Sequence, residues 1–167
     1  QESHSGGSDN HTQWVQPALF ILEYALAKLW MHKGVTPDLL IGHSIGEYVA
    51  SCISGVLKVE DAIELVCKRA ELMQSAPSGS MLAVPLPEAE IACFLSDKVS
   101  LAAVNTLSQC VLSGETEALA IIADKIPGSI KLNTSHGFHS QLMDPVLADF
   151  GAVSRGLELH DISIPYV

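Results

Sequence analysis

Cations are scarce in this sequence: 9 Lys and Arg stand against 19 Asp and Glu, for a formal charge of -10 over 167 residues. A nucleic-acid surface needs clustered positive charge, and no basic run occurs, so that class is excluded. Docking to an acidic partner would have to use a small local basic patch rather than overall attraction. The 4 cysteines, Cys52, Cys67, Cys93 and Cys110, form no Cys-x-x-Cys pair and sit in apolar segments. There a free Cys acts as a small hydrophobe, which fits a reducing compartment and neither metal binding nor a disulfide framework. Long apolar runs are also missing. Nothing approaches the ~18 residues of a membrane span, and no signal-peptide pattern stands at the start. The sequence reads as soluble and cytoplasmic.

What is present is core-forming material. Hydrophobic residues make up 48% and charged residues 17%, enough to bury a core and too apolar for disorder. Residues 1–15 are polar and rich in Ser, Gly and His, and read as a loop or linker in which His4 and His11 are solvated. A helix is predicted from about Gln16, with Pro17 in its first turn and Leu22, Ala25, Leu26, Leu29 and Trp30 at helical spacing; Gly34 ends it. The apolar run 38–41 predicts a buried strand, followed by a helix through Glu47–Ala50. A further amphipathic helix over 59–74 carries Ile63, Val66, Cys67, Ala70 and Met73 on its inner stripe.

The pattern changes after Pro77-Ser78-Gly79. Strands are predicted at 80–85, 99–104, 109–113 and 129–132, with helices at 87–96 and 115–125. That βαββαβ order is the ferredoxin-like one, as a compact insertion (79–134) in a larger α/β domain. Helix resumes at 142–153 and strand at 162–167. The chain stops inside that last strand, which reads as a fragment.

Between the strand at 38–41 and the next helix lies Gly42-His43-Ser44-Ile45-Gly46. A G-x-S-x-G run in that setting predicts a nucleophile elbow, with Ser44 projecting from a tight, strained strand-to-helix turn. Glycine is expected at both flanks because side chains there would collide. The Ile45 N–H, at the helix N-terminus, would face a developing oxyanion. A serine at neutral pH needs a base. His136 and His139, in Ser135-His136-Gly137-Phe138-His139-Ser140, stand where the inserted unit returns to the parent domain, and spacing does not choose between them.

The run Gly42-His43-Ser44-Ile45-Gly46-Glu47-Tyr48 resembles the nucleophile motif of malonyl-CoA:acyl carrier protein transacylases and of polyketide synthase acyltransferase domains. The resemblance extends from Gln16-Pro17-Ala18-Leu19 to Ile164-Pro165-Tyr166-Val167. It implies an α/β-hydrolase-like core (16–78 and 135–167) holding the ferredoxin-like unit. It also implies Ser44 as nucleophile and His139 as base, the two working as a pair steadied by a main-chain carbonyl, with Asp144 and Asp149 structural. Arg69 would pair with a malonyl carboxylate, and a planar guanidinium suits that role where Lys does not. Gln16, Ile45, His136 and Phe138 are implied as further acyl contacts. Ile45 and Phe138 match the malonyl-selective pattern, with Phe138 filling the space of an α-methyl branch. Gly137 departs from the usual Ala.

The activity implied is ping-pong malonyl transfer from malonyl-CoA to the phosphopantetheine thiol of an acyl carrier protein, beside a ketosynthase in one polypeptide. No metal or organic cofactor is required. The family's N-terminal Gly-Gln-Gly strand and its C-terminal portion have no counterpart in these 167 residues. Two other activities fit the same residues: a serine acyl hydrolase, against which Arg69 argues, and a non-catalytic docking domain.

Overall fold

A computed structural model describes residues 12–167; the expected linker at 1–11, with His4 and His11, lies outside the described residues. Three helices come first: α1 (Thr12–His32), α2 (Ile45–Ile53) and α3 (Val59–Ser75). Glu60 and Asp61 in the first turn of α3 complement its dipole, and Pro77 follows its end. The chain then forms β1 (Ser80–Val84), α4 (Glu88–Ile91) with a 3-10 turn to Phe94, β2 (Val99–Thr106), β3 (Gln109–Gly114), α5 (Thr116–Lys125) and β4 (Ile130–Lys131). A 3-10 turn at Gln141–Met143 leads into α6 (Asp144–Ser154).

The four strands make one antiparallel sheet in the order β2-β3-β1-β4, with Leu82 opposite Leu112 at its centre. The inner positions Leu82, Val84, Cys110 and Leu112 pack on Ile91, Leu119 and Ile122 from the two helices; burial alternates along β1, while β3 is buried from Cys110 to Gly114. A second core gathers Phe20, Ile45, Val49, Ile53 and Val66 from α1, α2 and α3. Burial of each large side chain contributes about 1.5–3 kcal/mol. Between the cores, Met73, Ala76 and Met143 pack with Phe138 and Leu142.

The helix α1 starts at Thr12, so residues 12–15 are not loop and Pro17 stands in its sixth position. Thr12, Gln16 and Phe20 recur every four residues on its buried side, which holds that extra turn in place. The predicted stripe faces the other way: Leu22, Leu26, Leu29 and Trp30 are exposed, while Tyr24, Ala27 and Met31 join the core. On α3, Ile63 is likewise outside, and Ala62 and Leu65 are buried instead. The strands expected at 38–41 and 162–167 reduce to one parallel bridge, Leu40 with Tyr166. Leu39 and Ile41 are exposed; among the described residues no further strand pairs with them to extend the ladder. All four cysteines are free, and Cys93 is exposed rather than packed.

The entry and exit of the sheet unit meet in an antiparallel bridge, Ser78 with His136. Two glycines, Gly79 and Gly137, let the chain paths touch there against the backbone of Gly114. A Cβ on Gly79 would sit 2.7 Å from Gly114 O and 2.8 Å from Gly137 N. At Gly137 it would meet Leu142 Cδ1 at 2.9 Å and Gly114 O at 3.1 Å, so an alanine fits only if Leu142 moves aside and the Gly114 backbone shifts by a few tenths of an ångström.

Candidate active site

Ser44 stands at the junction of the 38–43 segment and α2 with φ 53° and ψ -107°, a conformation strained for a residue with a Cβ. A serine at this helix position ordinarily caps the first turn. Here its hydroxyl makes no cap bond and points toward two other side chains. His139 Nε2 lies 3.2 Å from Ser44 Oγ, and Arg69 Nη2 donates to the same oxygen at 3.2 Å. Arg69 can only donate, so Ser44 Oγ accepts from it and keeps its own proton for a bare Nε2. His139 also has a positive φ, 60°. Both members of the pair therefore take their direction from backbone turns.

Gly42 is sterically obligatory, since a Cβ there would collide with Glu47 N and Gly46 C. Gly46 is not: a Cβ there meets nothing closer than Glu23 Oε2 at 3.8 Å. The expectation that both flanks need glycine holds at one of them. The Ile45 N–H donates no hydrogen bond among the described residues and stands free at the start of α2.

The imidazolium of His139 is disfavoured by partial desolvation first, then by Arg69 and by His43, whose ring centroid is 6.3 Å away. Its pKa is lowered, which leaves it neutral and able to accept a proton near pH 7. Neither Asp144 nor Asp149 bonds to His139. Arg69 is half-buried on α3, with its charge disfavoured mainly by desolvation. Among the described residues it has no carboxylate partner. The Tyr48 ring lies 5.7 Å from its guanidinium carbon, within cation–π range.

Arg69 and His139 open onto a cavity of about 280 Å³ whose apolar walls include Met73, Met143, Leu147 and Phe150. The remaining residues implied as acyl contacts are not in that lining. The Ile45 side chain is buried in the helical core, so only its backbone faces the site. His136 is 5% exposed, bonds to Ser135 Oγ through Nδ1 at 2.8 Å and stacks on Phe138 at 5.8 Å. Phe138 packs against the cluster of Met73, Ala76 and Met143, and both methionines line the cavity. Gln16 is buried and bonded to Arg69 rather than open to a ligand. Sequence reasoning passed over His43 and Thr12. The place of His43 beside Ser44 was the available signal; Thr12 gave none, lying in a stretch expected to be loop.

The sequence profile of the acyl transferase domain family matches residues 2–155. This chain belongs to that family. Over 155 residues it is 44% identical to mycoketide-CoA synthase of Mycobacterium tuberculosis, covering 90% of this chain and 4% of that protein. It is 38% identical over 165 residues to an orsellinic acid synthase of Armillaria ostoyae, covering 91% and 8%. The acyltransferase domain from the second module of the salinomycin polyketide synthase superposes with a TM-score of 0.91 at 41% identity, covering 94% of this chain and 39% of that one. Malonyl-CoA:ACP transacylase of Synechocystis superposes with a TM-score of 0.86 at 33% identity, covering 93% and 55%. The chain thus has the α/β fold of acyl transferase domains and spans a small fraction of the curated relatives' length.

Proposed function

We propose that this chain moves a malonyl group from malonyl-CoA, through an ester on Ser44, to the phosphopantetheine thiol of an acyl carrier protein. The observation that carries the reading is Ser44 Oγ held between a neutral His139 and an uncompensated Arg69, each at 3.2 Å. In the first half-reaction Ser44 Oγ attacks the thioester carbonyl as its proton passes to His139 Nε2. The Ile45 N–H stabilises the oxyanion. The C–S bond then breaks, and the CoA sulfur takes the proton back from His139. In the second, the carrier thiol gives its proton to His139 and attacks the ester, and Ser44 leaves with that proton. Arg69 recognises the malonyl carboxylate; a half-buried guanidinium without an anionic partner is built to receive one.

The reading extends to architecture and setting. Residues 79–134 form a ferredoxin-like unit on a hydrolase-like core made of 12–78 and 135–167, within a cytoplasmic polypeptide that also carries a ketosynthase. The chain's own residues supply the nucleophile, the base and the anion partner, and no cofactor enters the scheme. Intact-protein mass spectrometry after incubation with malonyl-CoA tests it in the full-length protein. One malonyl adduct is expected, stable in water and cleared by carrier protein, and absent from Ser44→Ala. An adduct that persists in Ser44→Ala removes the assignment, and one lost equally fast to water would mark a hydrolase.

A further inference from the structure

Arg69 is held from behind by an uncharged group. Its Nη1 donates to Gln16 Oε1 across from α1, while Nη2 reaches Ser44. Gln16 is 6% exposed and its amide orientation is fixed by its own partners. Nε2 donates to Thr12 Oγ1 at 2.8 Å and to Met73 Sδ at 3.4 Å. Both amide hydrogens are thereby used, and the carbonyl oxygen is the end left for the guanidinium. A flipped amide would aim N–H groups at a cation and abandon both acceptors.

The chemical type at this position matters as much as its geometry. A carboxylate in place of the amide would still accept from Arg69, although it has no N–H to give Met73 Sδ. It would also neutralise the charge that an incoming acyl group must find. The amide oxygen accepts one hydrogen bond and carries no net charge, so the edge of the guanidinium over Ser44 keeps its attraction for an anion. We propose that Gln16 is a positioning residue that sets the acyl selectivity of this site, by aiming Arg69 without neutralising it. The inference rests on the reading of Arg69 as partner of the substrate carboxylate. It moves Gln16 from acyl contact to support: α1 carries the orientation, α3 the charge and the turn into α2 the nucleophile.

The test compares malonyl-CoA and acetyl-CoA in the acylation of the full-length protein bearing Gln16→Glu, Gln16→Leu, Thr12→Val or Arg69→Ala. Gln16→Glu installs an internal competitor. We expect kcat/KM for malonyl-CoA to fall by up to about 30-fold, the full worth of the half-buried charge, mostly through KM, with a much smaller change for acetyl-CoA. Gln16→Leu releases the guanidinium, and loss of a hydrogen bond to a charged group predicts a drop of about tenfold or more in the malonyl-over-acetyl preference. Thr12→Val, which unfixes the amide but leaves it in place, should lower that preference a few-fold. It also serves if either Gln16 variant fails to fold. A purely structural Gln16 would instead lower both substrates together along with the melting temperature. If Arg69→Ala loses the preference while the Gln16 and Thr12 variants keep it, Gln16 has no positioning role. If Arg69→Ala itself keeps the preference, the carboxylate reading fails first.

Discussion

The two glycines of the elbow should respond very differently to one added methyl group. On Gly42 the new Cβ overlaps Glu47 N and Gly46 C, both backbone atoms of the first turn of α2. To reach ordinary contact that turn must retreat by roughly 1 Å, and forced overlap in a packed region costs about 1–3 kcal/mol. The same turn fixes Ser44, whose Oγ makes two 3.2 Å contacts. A misplacement of ~1 Å costs on the order of 10²-fold in rate. Gly42→Ala should therefore lose about 2 kcal/mol of stability and about 10²-fold in acylation by malonyl-CoA. Gly46 lies within α2, where the nearest atom to a new Cβ is the end of Glu23 at 3.8 Å. Gly46→Ala gains up to about 1 kcal/mol of helix propensity and meets no obstacle. Urea midpoints and single-turnover acylation rates in the full-length protein measure both quantities. Equal damage from the two substitutions, or a harmless Gly42→Ala, would refute the steric argument.

Replacing His139 with alanine should slow acylation by about 10⁴–10⁶-fold, the usual loss when one member of a nucleophile–base unit is removed. His136→Ala, which deletes a buried ring stacked on Phe138, should chiefly lower the urea midpoint; the opposite ranking in rates would exchange the two roles. The single-turnover rate should rise with pH through a His139 pKa below its usual value of 6.5 and stay flat above it. Arg69→Ala removes one of the charges that disfavour the imidazolium, so the inflection should move upward, and an unmoved profile would count against that coupling. The same substitution should reduce the malonyl-over-acetyl preference. A charge pair at ~4 Å and an effective dielectric near 20 is worth about 4 kcal/mol. Solvent access to a half-buried group cuts this to about 2 kcal/mol, or about 30-fold in a competition between the two CoA esters.

The tight turn into α2 at Ser44 was legible because it depends on local chemistry: an apolar run, two glycines and a helix start within ten residues. The βαββαβ order was legible for a similar reason, since short apolar runs and helical stretches follow one another with turn residues between them. The face of α1 was not, because Phe20, Tyr24 and Met31 on one side and Leu22, Leu26 and Trp30 on the other are equally apolar. Periodicity reports that a helix has stripes and leaves open which one turns inward. Residues 38–41 look like a strand by composition, yet a strand is defined by its neighbours, and among the described residues Tyr166 alone pairs there. Choosing His139 over His136 needed more than spacing. The family resemblance pointed to His139, and the geometry that sets the two apart is a positive φ at 139 and a buried ring at 136.

The glycine crossing at 79, 114 and 137 bears on the order in which the chain assembles. Ser44 and His139 are 95 residues apart, and bringing them together from a fully open chain means closing that whole loop. The sheet unit has its own core and ends where it begins, at the bridge of Ser78 with His136. Once it has formed, the effective loop shrinks to roughly 40 residues, which lowers the closure cost by about 0.8 kcal/mol. The Ser44–His139 contact should thus form late, after the sheet, and mutations that delay the sheet should delay recovery of activity on refolding even when they lie far from Ser44.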